Sequence, residues 1–470
     1  MKKITMNFFY QTIFQLTKIL IPIITVPVVS GALGPDGVGV YNYTNSVAQY
    51  FALAAGLGVM LYGNREIAMA WAKKNNVSEK FWEIFFFKAI STLVSLSVYF
   101  FFIFFVFKYK IFYLVQSLTI IAVFFDISWF FMGIEDFKKT SMTNLVIQII
   151  TFICILAFVH DHDDVLVYTI IQVLGTFLSQ FFVWSFIGKY IHFQLPSFKG
   201  CISHFMGSVM YFIPQVAIML YTNLNKTILG IMVGSAAVGY YANSLQLNGV
   251  FTTIITTLDV VLLPYMSGLY AKNNSNRIVQ VMNKTINLQL FFSIPIMFGM
   301  LTVYDKLIPW FFGNEFLFIK KVIPVVVILI IIKPLGISIS RQYLMPIGKI
   351  GVYNKSVLLG AVINIILNLI LMPFLGFWGV VIATILAETF VTVVRTLSFV
   401  KDTNFKFDLK AILSYFICGG LMCLLTRFIT ATMSSSIFTN VVQVMIAIAI
   451  YFSLTFLFKV NPLFNLKKKK

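Results

Sequence analysis

The residues of this sequence with chemistry to do are charged and strongly polar side chains set inside greasy stretches. Lys18 stands about ten residues into an apolar run, roughly 15 Å deep at helical rise. A charge at mid-span costs about 2.5–3.5 kcal/mol on insertion scales. Such a charge is kept for a wet cavity or a partner, the plainer alternative being a long reach back to the surface. Asn223, Asn225 and Lys226 make a polar cluster between two apolar runs, or else an ordinary outer loop. Lys333 lies in a later run and Arg341 just after it. Three carboxylates, Asp126, Asp259 and Glu388, fall within runs, where each either pairs with a cation or carries a coupling proton. Arg65-Glu66 closes the second run as a gate ion pair or a plain surface pair. Glu135, beside Asp136 and Lys138, caps or gates the end of the fourth. His160-Asp161-His162-Asp163-Asp164 has the residue types of a metal site, but five such residues in a row read better as an acidic turn. No catalytic set, metal site or cofactor is expected.

These residues need apolar elements to hold them. The chain is 59% hydrophobic and 11% charged with 51 Phe, whereas a soluble globule carries about 25% charged residues. It is an all-α polytopic membrane protein. Apolar runs of helical span length recur, rather than the alternating ten-residue segments of a barrel. Spans are expected at 8–30, 38–61, 81–107, 111–132, 142–159 and 165–187, then at 204–221, 238–266, 285–303, 322–340, 352–374 and 376–399, and finally at 409–428 and 438–458. That makes fourteen: six-helix lobes at 1–188 and 200–400, and a trailing pair with a basic tail at 408–470. A net charge of +19 invites a nucleic-acid reading, but the basic residues sit in short gaps between spans and make no continuous face. The four cysteines lie in or beside apolar runs without a CxxC, so no disulfide framework is expected. No cleavable leader is visible, because the first run is long, holds prolines and lacks a small-residue exit.

With the N-terminus inside, cytoplasmic segments hold about 24 Lys and Arg and outer segments about seven. The alternation supports an even number of spans with both termini cytoplasmic, and Lys467 to Lys470 then meet anionic lipid. A repeat is also visible. Val38-Gly39-Val40-Tyr41 returns as Val238-Gly239-Tyr240-Tyr241, 200 residues on, and Ile19-Leu20-Ile21-Pro22 returns as Tyr211-Phe212-Ile213-Pro214. The stretch from Tyr211 to Tyr241 reads as the start of a second copy. There is no long loop and no phosphate-binding loop, so any driving energy comes from an ion gradient, the voltage or the substrate gradient.

Several stretches resemble a known family. They are Tyr62-Gly63-Asn64-Arg65-Glu66-Ile67-Ala68, Trp129 through Lys138, Phe212-Ile213-Pro214-Gln215 with Lys226 and Leu229-Gly230, Leu262-Leu263-Pro264-Tyr265, and Tyr343 through Lys349. Over roughly residues 5–400 the chain resembles the polysaccharide flippases of the multidrug/oligosaccharidyl-lipid/polysaccharide (MOP) exporter superfamily. Met132 stands where one family pattern has Gln, which puts in doubt a role for that side chain. The resemblance implies twelve core helices plus two, alternating access, and transport rather than catalysis. The implied substrate is an oligosaccharide on polyprenyl pyrophosphate, moved to the outer leaflet of a bacterial plasma membrane. Lys18, Lys226, Lys333 and Arg341 would then meet phosphate, and Asn223 and Asn225 sugar hydroxyls. Tyr41, Tyr43, Tyr50 and Trp129 would stack on sugar rings or anchor at the interface. Asp126, Asp259 and Glu388 would couple H+ or Na+. Membrane lipid and a polysaccharide polymerase are the other partners implied. Two alternatives stay open: a drug antiporter of the same superfamily, and a membrane polymerase or glycosyltransferase. Lipid II flipping is a further variant.

Overall fold

The computed structural model describes residues 2–73, 76–105, 109–272, 274–403 and 405–462, except the side chains of 2–16, 18–20, 221, 260, 261, 264 and 275. All regular structure among the described residues is helical. Two compact units divide the chain, residues 1–239 and 240–470. The first holds α1 (Lys2–Gly56), α2 (Val59–Lys73), α3 (Val77–Phe105), α4 (Lys110–Phe125), α5 (Ser128–Gly133), α6 (Phe137–Phe158), α7 (Val165–Phe181) and α8 (Phe198–Met232). After it come α9 (Ser235–Ala271), in which the unit boundary falls, α10 (Ser275–Phe311), α11 (Ile319–Val326) and α12 (Leu329–Ile339). The chain closes with α13 (Ile350–Leu375), α14 (Phe377–Thr403), α15 (Leu409–Ile429) and α16 (Ile437–Leu457).

Among the described residues eleven helices are long and apolar enough to cross a membrane, or twelve if the bent pair α11–α12 is one span. The described parts of the fourteen expected spans fall almost wholly on helix, and the eighth, on α9, is not among the eleven. The first two share α1, which breaks at Gly34 (φ 62°) ahead of Pro35. The fourth is α4 and α5, parted at Asp126. The tenth bends by 41° between α11 and α12. Two polar segments expected as connections are helical instead. Residues 62–73 form most of α2, and 222–232 extend α8 by three turns. The basic tail expected to meet lipid, at 463–470, lies outside the described residues.

Helices in hydrocarbon gain little from burying apolar surface against each other, so close packing at small residues holds them. In the first unit that packing explains two of the stretches that carry the resemblance. A Cβ on Gly63 would stand 2.7 Å from the Trp129 ring, and one on Gly133 would stand 2.9 Å from the Asn64 carbonyl oxygen. α2 and α5 thus touch along their backbones. Trp129 in turn stacks on Phe81, with centroids 5.2 Å apart.

The paired tetrads have a matching explanation. A Cβ on Gly39 would meet the Ser235 carbonyl oxygen at 1.8 Å, and one on Gly239 would meet the Pro35 carbonyl oxygen at 2.1 Å. Shifted by 200 residues, each contact becomes the other. Ser235 Oγ also donates to Asp36 at 2.7 Å.

In the second unit α13 and α14 form a hairpin through Gly376 (φ 53°), and α10, α15 and α16 pack around Phe291, Tyr415 and Tyr451. The Tyr451 hydroxyl donates to the Phe291 carbonyl at 2.9 Å.

Candidate functional site

In the first unit α1 and α8 present polar residues to each other on helical spacing. Asn42, Ser46 and Tyr50 recur every four residues on α1, which places them on one face. Lys226 Nζ donates to Asn42 Oδ1 at 3.1 Å. The Thr227 hydroxyl lies 3.0 Å from Ser46 Oγ and 3.1 Å from the Tyr50 hydroxyl. Gly230, one turn on, leaves room for the Tyr43 ring, which a Cβ there would meet at 2.1 Å. Asn225 is buried, and Asn223 Nδ2 faces Met219 Sδ at 2.7 Å. Lys226 therefore sits in a seam of amides and hydroxyls, with no carboxylate within 4 Å of its nitrogen among the described residues. Such a seam accepts and donates hydrogen bonds to hydroxylated matter.

Lys88 carries chemistry that the sequence reading passed over. It lies in the third span and is 2% exposed. Its ammonium donates to the Asp126 carbonyl oxygen, where the break between α4 and α5 frees that oxygen from the helix ladder, and the Trp129 indole donates there too at 3.0 Å. Asp126 thus holds a helix break: its Oδ1 accepts the Ser128 backbone N–H at 2.8 Å. Lys88, Asp126 and Gln215 line a cavity of about 150 Å³, into which Gln215 brings a buried amide nitrogen with no partner among the described residues. A space of that size and polarity suits ordered water. A lone lysine within an aromatic run was the available signal, the same one that singles out Lys18.

In the second unit Lys333 and Glu388 form an ion pair at 2.8 Å. The structure joins a residue expected to bind substrate to one expected to couple ions. Asp259 is 2% exposed and accepts from Ser338 Oγ at 2.7 and 2.8 Å and from Gln342 Nε2 at 2.6 Å. Arg341 follows in a widened helical turn, Ser340–Leu344. Arg395, near the end of the twelfth expected span, is buried, with Nε on Ser356 Oγ at 2.9 Å and Nη1 on the Gly336 carbonyl at 3.2 Å. A separate cavity of about 350 Å³ between α10, α15 and α16 is lined by Phe251, Phe291, Pro295, Met300 and Tyr451 among others, and suits hydrocarbon rather than sugar.

Among the expected gate residues, Arg65 is exposed and Glu66 lines a surface pocket with Lys73, Glu79 and Lys80. Glu135 is exposed with φ 56°, in the left-handed turn that ends α5. The Lys18 side chain lies outside the described residues. At the acidic turn, Asp164 accepts the backbone N–H groups of His160 and Asp161 at 2.9 and 3.0 Å. It is a capping turn, and no group of three metal-ligating residues occurs among the described residues.

Residues 4–270, more than half of the chain, match the polysaccharide biosynthesis protein family. The chain belongs to that family. The candidate low-salt glycan biosynthesis flippase Agl15 of Haloferax volcanii is 25% identical over 217 residues, 46% of each chain, so this match spans under half of that protein. A candidate O-antigen transporter of Escherichia coli K12 is 21% identical over 72% of this chain and 81% of its own. Among solved structures the lipid II flippase MurJ, in its inward closed conformation, superposes with a TM-score of 0.73 at 16% identity, over 95% of this chain and 98% of that one. An inward-facing multidrug resistance MATE transporter of the MOP superfamily reaches 0.65 at 14% identity, over 82% and 94%. The fold of the family member described here is thus the MOP fold that the sequence stretches pointed to.

Proposed function

We propose that this chain is a flippase that carries polyprenyl-pyrophosphate-linked oligosaccharide repeat units from the cytoplasmic to the outer leaflet of a bacterial plasma membrane, by alternating access. Membership of a polysaccharide biosynthesis family supports the pathway, and relatives described as flippases and an O-antigen transporter support the step. The observation that carries the reading is the seam around Lys226. An ammonium with no carboxylate within 4 Å among the described residues, flanked by Asn, Thr, Ser and Tyr, is what a pyrophosphate with attached sugars requires. A cation-exporting relative would need the opposite sign in that place.

In this reading Asn223 and Asn225 meet sugar hydroxyls, Lys18 and Arg341 serve the phosphates at other stages of the cycle, and Lys333, held by Glu388, fastens α12 to α14. Asp126, Asp259 and Glu388 respond to H+ or Na+, while Arg65, Glu66 and Glu135 gate one mouth. The moving parts are six-helix lobes at 1–188 and 200–400, with the pair at 408–470 riding along and both termini cytoplasmic. The head group crosses in the wet seam while the polyprenyl chain stays in lipid, so the sugar never meets hydrocarbon. No bond is made or broken, and a polymerase acts afterwards on the outside.

The test is reconstitution into liposomes with a lipid-linked oligosaccharide whose sugars are accessible to an added outer-face reagent. Faster exposure of the sugar than in protein-free liposomes is expected. Transport of organic cations, with lipid-linked sugar left in place, would overturn the reading in favour of an antiporter.

A further inference from the structure

We propose that His204, seated between Glu83 and Tyr62, is a proton-binding site that fastens α8 to α2 and α3. Its imidazole is spanned on both sides. Nδ1 lies 2.7 Å from the Tyr62 hydroxyl and Nε2 lies 3.2 Å from Glu83 Oε2, which also takes Lys80 Nζ at 2.9 Å. Three helices thus meet on one ring, and the His204 and Glu83 side chains are only 3% and 9% exposed.

α8 is shaped for this seat. Gly200 and Gly207 stand one turn to either side of His204 on the same face. A Cβ on Gly200 would lie 2.1 Å from Glu83 Oε1, and one on Gly207 would lie 2.5 Å from the Tyr62 ring. Their missing side chains let the carboxylate and the phenol close over the imidazole. The Ser208 hydroxyl adds one further tie, to the Leu57 carbonyl at 2.6 Å.

The ring can hold either one proton or two without losing its seat. In the neutral form Nε2–H donates to Glu83 and Nδ1 accepts from the Tyr62 O–H. A second proton enters at Nδ1, which then donates to the Tyr62 oxygen while the phenol hydrogen turns away. The bond to Glu83 becomes an ion pair and strengthens. The other titratable or charged groups facing this cluster are Arg65 and Glu66 on α2, Lys80 on α3, and Cys201 and Tyr211 on α8. Burial and Lys80 oppose the second proton, and Glu83 and Glu66 favour it. Imidazole is the side chain that titrates in this way near neutral pH.

The consequence lies at the far end of α8. His204 and Lys226 are 22 residues apart on one helix, roughly 33 Å at helical rise, with Pro214 between them. Low pH tightens the near end of α8 against α2 and α3, and high pH loosens it. The proton therefore sets how α8 carries the seam at Lys226. This link to transport rests on the function proposed above, whereas the clamp itself does not.

Two measurements on the full-length protein in lipid separate these parts. In the first, Cys154, Cys418 and Cys423 are replaced by Ser, and labelling of Cys201, buried beside the ring on α8, is followed from pH 5.5 to 8.5. Relative to H204Q, which cancels the intrinsic pH dependence of the thiol, labelling should rise at least threefold towards high pH. The E83Q variant should shift the midpoint down by about one pH unit, because the anion that favours imidazolium is gone. An equal ratio at every pH would overturn the clamp, as would a His204 imidazole NMR signal that does not titrate between pH 5 and 8. In the second, flipping by H204Q should persist with a flattened pH profile. A profile like that of the unaltered protein would overturn the link to transport. Absence of flipping in the unaltered protein would instead count against the function, leaving the labelling result to judge the clamp.

Discussion

Lys226 in the first unit and Lys333 in the second are both lysines within spanning helices, and they are held in opposite ways. Lys226 rests on the amide oxygen of Asn42, whereas Lys333 is matched by the carboxylate of Glu388. A neutral partner orients an ammonium and leaves its charge for a ligand. A carboxylate cancels the charge and turns the cation into a fastening between helices, here α12 and α14. The chemistry of the partner, more than the presence of a buried lysine, separates a site from a strut.

Substitutions at five residues break or sharpen that contrast. The largest effect is expected at Lys226→Ala: loss of a charge-assisted contact worth about 1.5–3 kcal/mol should slow flipping about 10- to 100-fold with little change in melting temperature. Lys226→Arg should retain most of the rate. Removing one partner of the second pair should instead show in stability. Lys333→Met or Glu388→Gln alone should cost about 2–3 kcal/mol in denaturation in detergent, and the double variant should recover much of it. A double variant no better than either single one would make Lys333 a site after all. Lys88→Met removes one of two donors to the Asp126 carbonyl, so about 1 kcal/mol of stability is expected to go. A loss of flipping on the scale of Lys226→Ala would place Lys88 on the substrate path. The mildest change is Asn42→Ala, which leaves the charge and removes its guide: about a threefold fall in flipping rate is expected, and no fall would mean that the amide does not position the ammonium.

Much of the fold was legible in the sequence, because span length and the charge of the gaps are dictated by the membrane. Breaks inside spans were less so. Nothing in composition separates a helix ending at Phe125 from one running through Asp126, since the break depends on what Lys88 and Trp129 offer the freed carbonyl. The site was half legible. Lys226 and its asparagines stand out as polar residues between apolar runs, but the sequence suits a loop there as well as a site, because the α1 face that makes a helix worthwhile lies some 180 residues away. His204 and Glu83 were passed over for another reason. Polar residues near span ends look like ordinary interface residues until two neighbouring glycines are seen to let them meet. Lys333 and Glu388 were both noticed, yet their pairing is a fact of three dimensions, 55 positions apart in the chain.

The exchange at Gly39 and Gly239 points to ancestry. Where residue i touches residue j of a second copy and j touches i in return, the two are self-complementary, as in a symmetric dimer. A gene half this long could have made both contacts with one glycine, its product meeting its own twin. Fusion would then free each half to drift, so that Lys226 rests on an amide while Lys333 meets a carboxylate.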